Sequence, residues 1–442
     1  MCRPPTQDEI ANEPSLARTF WRLRAVALVA CCDEALFSFA TGATHYPYLR
    51  TLVRCHARSS SFSGSARCGD ADVVLQRGAR LGGWATFAVV VGNVLCVLLW
   101  APRIDSLGRR HTIIRSLGGL ALGLLALAGA AQLDSVALSL GAYVVMAATS
   151  ATQAAAAALA SDSIEKDARQ RTALAVVGGA RGAGTVVAAA AGYFVLRRDL
   201  EDYAIPYAAC AALALIGAAL ARGALPEDAP PQQTERDWRR GARALVSNCH
   251  RAAAALSITT AAYYAGFSIL SSWGISQLGL AQATLSLVVL VQYAGMALGA
   301  LAASLVGGAI AVAGGLVATG LAAPRAPLLV WALPPIAGVG LGAASTAAST
   351  EVGIGVEQED QGQAQAVLLL LGYVGAALGC LLGPRLYAPE ASVLRASLPF
   401  LVGAGVAVAT ALGLIATAPR SAGPLEETLL DEDSEEADPG EV

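Results

Sequence analysis

Apolar runs of about 20 residues recur along most of this chain, separated by short polar turns. Each is long enough to cross a bilayer as a helix. The runs are continuous rather than alternating, which excludes the strands of a membrane barrel. In the first half they fall at about 24–46, 80–101, 112–132, 136–160, 172–196 and 203–221. A polar interval follows at 222–250, with Pro226, Pro230, Pro231 and the run Glu235-Arg236-Asp237-Trp238-Arg239-Arg240. Ala252 to Pro324 holds no charged residue. That length accommodates three crossings, divided at Ser276–Gln282 and at Gly307-Gly308. Three more lie at about 328–351, 364–386 and 397–418.

The pattern predicts an all-α membrane protein of twelve transmembrane helices in two six-helix bundles. A cytoplasmic N-terminus (1–23) precedes the first bundle (24–221). A cytoplasmic linker (222–250) leads to the second bundle (251–418), and an acidic disordered tail (419–442) follows. Composition agrees: 55% of residues are hydrophobic and 14% charged, against about 25% charged in ordinary soluble proteins. A net charge of -3 gives no case for nucleic acid.

Arginines set the orientation. Arg18, Arg22 and Arg24 precede the first span, and Arg103, Arg109, Arg110 and Arg115 surround the turn between the second and third. Lys166, Arg169 and Arg171 separate the fourth and fifth, and five more arginines occupy the linker. Both termini are therefore expected in the cytoplasm, whether of a plasma or an organelle membrane. The loop at 47–79 runs against the rule, with Arg50, Arg54, Arg58, Arg67 and Arg77. It also holds Cys55 and Cys68, which would pair if the loop faces an oxidising compartment.

Few ionisable residues fall deep inside a span. Asp33 and Glu34 lie about nine residues into the first and Arg181 about nine into the fifth, so all three sit roughly 14 Å in. An isolated charge there costs at least about 2.5–3.5 kcal/mol, so Arg181 is expected to pair with Asp33 or Glu34. Such a pair is either a substrate or proton site on a central cavity or a structural brace. Asn93, Gln153, Gln292 and Tyr293 are further pathway candidates, each of which could equally bond within the bundle. Tyr263 and Tyr264 are too deep for an interfacial belt. Glycines four apart (Gly178/Gly182, Gly295/Gly299, Gly338/Gly342, Gly375/Gly379, Gly379/Gly383) predict close helix packing as a set. Any one pair alone is what an Ala/Gly-rich chain produces by chance.

The turn Arg103-Ile104-Asp105-Ser106-Leu107-Gly108-Arg109-Arg110 joins the second and third spans. It resembles the signature loop of the major facilitator superfamily, Gly-x-x-x-Asp-Arg/Lys-x-Gly-Arg/Lys-Arg/Lys. Asp105, Gly108, Arg109 and Arg110 match; Ala101 and Ser106 depart. Asp162 followed by Arg171 is similar to the family's entry to span five. Glu359–Gln365 with Gly383-Pro384 resembles the drug–proton antiporters related to tetracycline-resistance proteins. The antiporters' Gly-Pro motif in span five is missing from Ala188–Gly192, and span four lacks their arginine.

The resemblance implies a secondary transporter of a small organic solute working by alternating access. It implies a gating role for Asp105, Gly108, Arg109 and Arg110, and proton coupling by an acid of the first span. The alternatives are an uncoupled facilitator and a transport-inactive scaffold or sensor. No nucleotide motif or nucleophile constellation stands out, so neither an enzyme nor a cofactor is expected. The expected partners are the bilayer, a small-molecule substrate and protons, with the chain acting as a monomer.

Overall fold

The computed structural model describes residues 16–45, 47–50, 52, 71–100, 107–162, 168–197, 202–225, 238–299, 304–356, 358–389 and 392–417. Those residues are nearly all helical. In chain order they form α1 (Leu16–Ser38), a π-turn (Phe39–Ala43), α2 (Ala71–Trp100), α3 (Arg109–Gln132), α4 (Val136–Thr149), α5 (Thr152–Asp162), α6 (Ala168–Arg197) and α7 (Ala204–Ala224). The second half contains α8 (Trp238–Phe267), α9 (Leu270–Leu278), α10 (Gln282–Gly299), α11 (Leu305–Ala322), a 3-10 turn (Pro327–Trp331), α12 (Leu333–Gly355), α13 (Gln358–Leu386), α14 (Val393–Ala396) and α15 (Leu398–Ala416).

Ten helical segments of the described residues are long and apolar enough to cross a membrane. α4 and α5 form one such crossing, α8 and α9 another, and the 3-10 turn with α12 a third. The acid-bearing α1 and the shorter apolar α10 bring the crossings to twelve.

The packing repeats with an offset of six crossings. In the first half α1 packs on α6, α2 on α4 and α3 on α7, which pairs crossings one and five, two and four, three and six. In the second half α8 packs on α13, α10 on α12 and α11 on α15, which are crossings seven and eleven, eight and ten, nine and twelve. The halves meet where α2 lies on α13 and α6 on α10. Two copies of one bundle thus face each other, as in transporters built from parallel repeats.

Glycine explains how closely the second-half helices approach. A Cβ added at Gly295 or Gly299 of α10 would overlap the carbonyl oxygen of Pro335 or Val339 on α12. One added at Gly338 or Gly342 of α12 would overlap those of Gln292 or Met296 on α10. Gly375, Gly379 and Gly383 of α13 press likewise on Ser257, Ala261 and Ala265 of α8. Gly182 of the first half faces open space instead.

Two features depart from the sequence reading. The boundary expected at Gly307-Gly308 lies inside α11. Ser304 is the N-cap, its Oγ accepting from Gly307 N at 3.0 Å, and this cap satisfies one of the helix's first free N–H groups, so the helix starts ahead of the glycine pair. In addition, α8 begins at Trp238 and runs past the expected bundle start at 251. Its non-helical residue, Cys249 (φ -130°, ψ 20°), marks a kink near that position.

Candidate functional site

The fourth crossing breaks at Ser150-Ala151, between α4 and α5. Non-helical backbone at membrane depth is tolerated only where other groups satisfy it. Here Ser116 of α3 supplies the acceptor: its Oγ takes hydrogen bonds from Ala151 N (3.0 Å) and Thr152 N (3.1 Å). Thr152 Oγ1 lies 2.8 Å from the same oxygen and donates to Asp33 Oδ1 of α1 at 3.0 Å.

One residue further along each helix, the contact repeats. Gln153 Nε2 donates to Glu34 Oε2 at 2.6 Å. Glu34 Oε2 also accepts from Arg181 Nε of α6 at 3.2 Å, and Ser38 Oγ donates to Glu34 Oε1 at 2.7 Å. The two neighbouring acids of α1 are therefore tied to the two residues that begin α5.

Their surroundings differ. Asp33 is buried on the α3 and α5 side, and its Oδ2 has no hydrogen-bond partner among the described residues. Glu34 lines a cavity of about 260 Å³ between the halves. Asn93, Gln153 and Arg181 line the first-half wall, and Tyr264, Tyr293 and Tyr373 the second. Tyr264 and Phe267 meet edge to face with centroids 5.7 Å apart, and Phe267 meets Tyr293 at 6.1 Å. The second half therefore contributes aromatic rings, and the first half the charged pair and amides.

The Arg181 side chain is 41% exposed. Only its Nε engages a partner among the described residues, although a guanidinium carries further donors on both Nη atoms. The cavity therefore holds a carboxylate satisfied by three donors beside a cation with unused donors.

Of the residues singled out from sequence, Glu34, Arg181, Asn93, Gln153 and Tyr293 share this cavity. Asp33 and Gln292 do not line it. Gln292 is buried with its backbone carbonyl against Gly338, and its Oε1 has no partner among the described residues. Tyr264 lines the cavity, whereas Tyr263 is buried and stacks on Phe267. Thr41, Thr86, Ser271, Ser286 and Tyr373 were not singled out, yet they line it. Hydroxyl residues in apolar helices usually bond back to their own backbone, as Thr86 does to the Gly82 carbonyl, so sequence gave no signal for them.

The signature turn is partly described. Gly108 has φ 86° and ψ 142°, a conformation open to glycine and strained for other residues. Arg110 Nη2 donates to the carbonyl of Arg222 in the last turn of α7, where helix carbonyls lack intrahelical donors and a cation is favoured. Asp105, Cys55 and Cys68 lie outside the described residues.

Residues 75–380 match the family profile described as Major Facilitator Superfamily. Among solved structures, a D-xylose–proton symporter is similar at 13% identity and TM-score 0.67, over 90% of this chain and 98% of that one. The nucleoside transporter NupG (D323A mutant) is similar at 16% identity and TM-score 0.63, over 90% and 100%. The human organic anion transporter MFSD10 is similar at 16% identity and TM-score 0.61, over 90% and 99%. No curated protein sequence matches.

Proposed function

We infer the finer details of transport from the premise that this chain belongs to the Major Facilitator Superfamily, whose profile spans most of its length. It is a multi-pass membrane protein and a secondary transporter of small solutes, not an enzyme. We propose that its solute carries an anionic group, which binds the unused Nη donors of Arg181. Arginine is suited to such groups because its fork matches a carboxylate in two parallel bonds.

The same geometry supports coupling to protons. A solute carboxylate on Arg181 competes with Glu34 for that cation. A Glu34 that loses the cation and keeps only the neutral donors Gln153 and Ser38 is costly as an anion at membrane depth and takes up a proton. Solute and proton then move together, and release of the solute restores the ion pair. Asp33, buried behind α5, holds Thr152 and so positions Gln153 against Glu34.

The cavity volume of about 260 Å³ lies below the usual range of ~300–1,000 Å³ for ligand pockets. It therefore favours compact organic acids over bulky drugs, while sugars and nucleosides, named in the similar structures, serve as comparison substrates. The mid-membrane acid of α1 and the stretch Glu359–Gln365 support kinship in sequence with the drug–proton antiporters, with the proton here moving alongside the solute rather than against it. The arginines at the end of the bundle bearing Arg110 and Arg222 support cytoplasmic termini.

The observation that carries this reading is the Glu34–Arg181 pair on the cavity wall. Reconstituted in proteoliposomes, the protein is expected to take up small carboxylates faster under an inward acid gradient. Glu34→Gln is expected to keep exchange and lose the pH dependence, and Arg181→Gln to lose both. Uptake indifferent to a pH jump, with an intact response to substrate, would identify an uncoupled facilitator.

A further inference from the structure

A second cavity, of about 170 Å³, lies on the seam between the halves and adjoins the transport cavity at Cys380, which lines both. Arg80 and Trp84 of α2 line one side, and Leu381, Pro384 and Arg385 of α13 the other. The helices touch here. A Cβ on Gly83 would overlap the Cys380 carbonyl and crowd the Pro384 ring at 3.1 Å. Gln76 Nε2 reaches the Tyr387 carbonyl at 3.5 Å on the same seam.

Closing this seam brings two guanidinium groups from opposite halves to one cavity. Both side chains are exposed. Among the described residues neither has an ion pair or a hydrogen bond through its side chain, and none of those residues supplies the closed seam with a counter-charge. The surroundings specify what could supply one. Arg80 lies one turn inside the apolar part of α2, which begins at Gln76, and Arg385 lies in the last turn of α13. Trp84 lies one turn further along α2 and is 49% exposed. Leu378 and Leu382, beside the cavity on α13, are exposed and apolar, offering a surface for acyl chains.

We propose that this cavity binds the headgroup phosphate of an anionic phospholipid between Arg80 and Arg385, and that the lipid stabilises the closed seam. Two guanidinium groups suit phosphate oxygens, and the adjoining leucines favour a lipid over a dissolved anion. Because the two arginines belong to different halves, the site is complete only when the seam is closed. Binding therefore shifts the access equilibrium by its preference for that state.

The test uses the full-length protein in nanodiscs of phosphatidylcholine or of phosphatidylcholine with phosphatidylglycerol. Native mass spectrometry reads retained lipid, and hydrogen exchange reads opening of residues 76–84. Phosphatidylglycerol is expected to be retained preferentially and to slow exchange of that segment. Arg80→Gln and Arg385→Gln are each expected to reduce retention about tenfold or more, while the Arg80→Lys/Arg385→Lys double variant keeps the preference. Equal retention of the two lipids by the unmodified protein would overturn the proposal, and this comparison needs no variant. So would undiminished retention in both glutamine variants, or slowing of exchange by inorganic phosphate alone in phosphatidylcholine.

Discussion

At the scale of single residues, position along the chain and position in space diverge most at Asp33 and Glu34. Both are legible in the sequence as acids at membrane depth, and a partner for Arg181 follows from the cost of leaving a charge alone. Which acid faces the cavity is not legible, because neighbouring residues point about 100° apart on a helix and nothing local fixes the rotation. The structure turns Glu34 to the cavity and Asp33 to Thr152. Asp33→Asn retains an acceptor for Thr152, so it is expected to fold and keep a pH-dependent response. Asp33→Leu removes that acceptor and is expected to weaken substrate affinity through Gln153. Uptake kinetics over a pH series distinguish the two. Gly108 is a residue-scale constraint of another kind. With φ at 86°, Gly108→Val is expected to cost about 1–3 kcal/mol, read as lowered thermal stability with the cavity residues intact.

At the scale of elements, the spans were legible because twenty apolar residues leave few alternatives. The breaks in the fourth and seventh crossings were not. Ser150-Ala151 and Ser268-Ile269 carry no proline or charge to mark a break, and what permits the first break is Ser116 on a different helix. Ser116→Ala leaves two backbone N–H groups without that acceptor, and each unsatisfied group costs about 1–3 kcal/mol. The variant is expected to lose thermal stability and to show faster hydrogen exchange at 150–153. The glycine spacing was legible as a set, while the pairs that matter required the facing carbonyls. Gly338→Val forces α12 away from the Gln292 carbonyl and is expected to destabilise by about 1–3 kcal/mol. Gly182→Ala faces open space and is expected to leave the melting temperature nearly unchanged.

At the scale of the whole molecule, two bundles related by an offset of six crossings share the cavity that holds the Glu34–Arg181 pair, although the signature turn occurs once in the sequence. The repeat survives in which helices touch, where many residue combinations satisfy the same packing, and has gone from the residues themselves. The cavity's chemistry is asymmetric: its charged pair belongs to the first half and most of its rings to the second. Alternating access requires the halves to part along α2–α13 at one stage of the cycle. A cross-link joining residues 76 and 387, whose groups now meet at 3.5 Å, is therefore expected to arrest net uptake while leaving substrate binding measurable. Continued uptake by the cross-linked protein would show that this seam does not open.

The break at Ser150-Ala151 has a consequence for how the chain can change length. A stretch of two non-helical residues usually tolerates insertion, since a surface loop absorbs an extra residue at little cost. This one cannot. Thr152 and Gln153 are consecutive, and each meets a consecutive acid of α1. One residue added ahead of them would turn α5 by about 100° and strip Asp33 and Glu34 of their α5 partners together. Deletion would do the same in the opposite sense. The joint is irregular in backbone yet fixed in register, so length variation tolerated at the chain's surface turns is expected to inactivate the protein here.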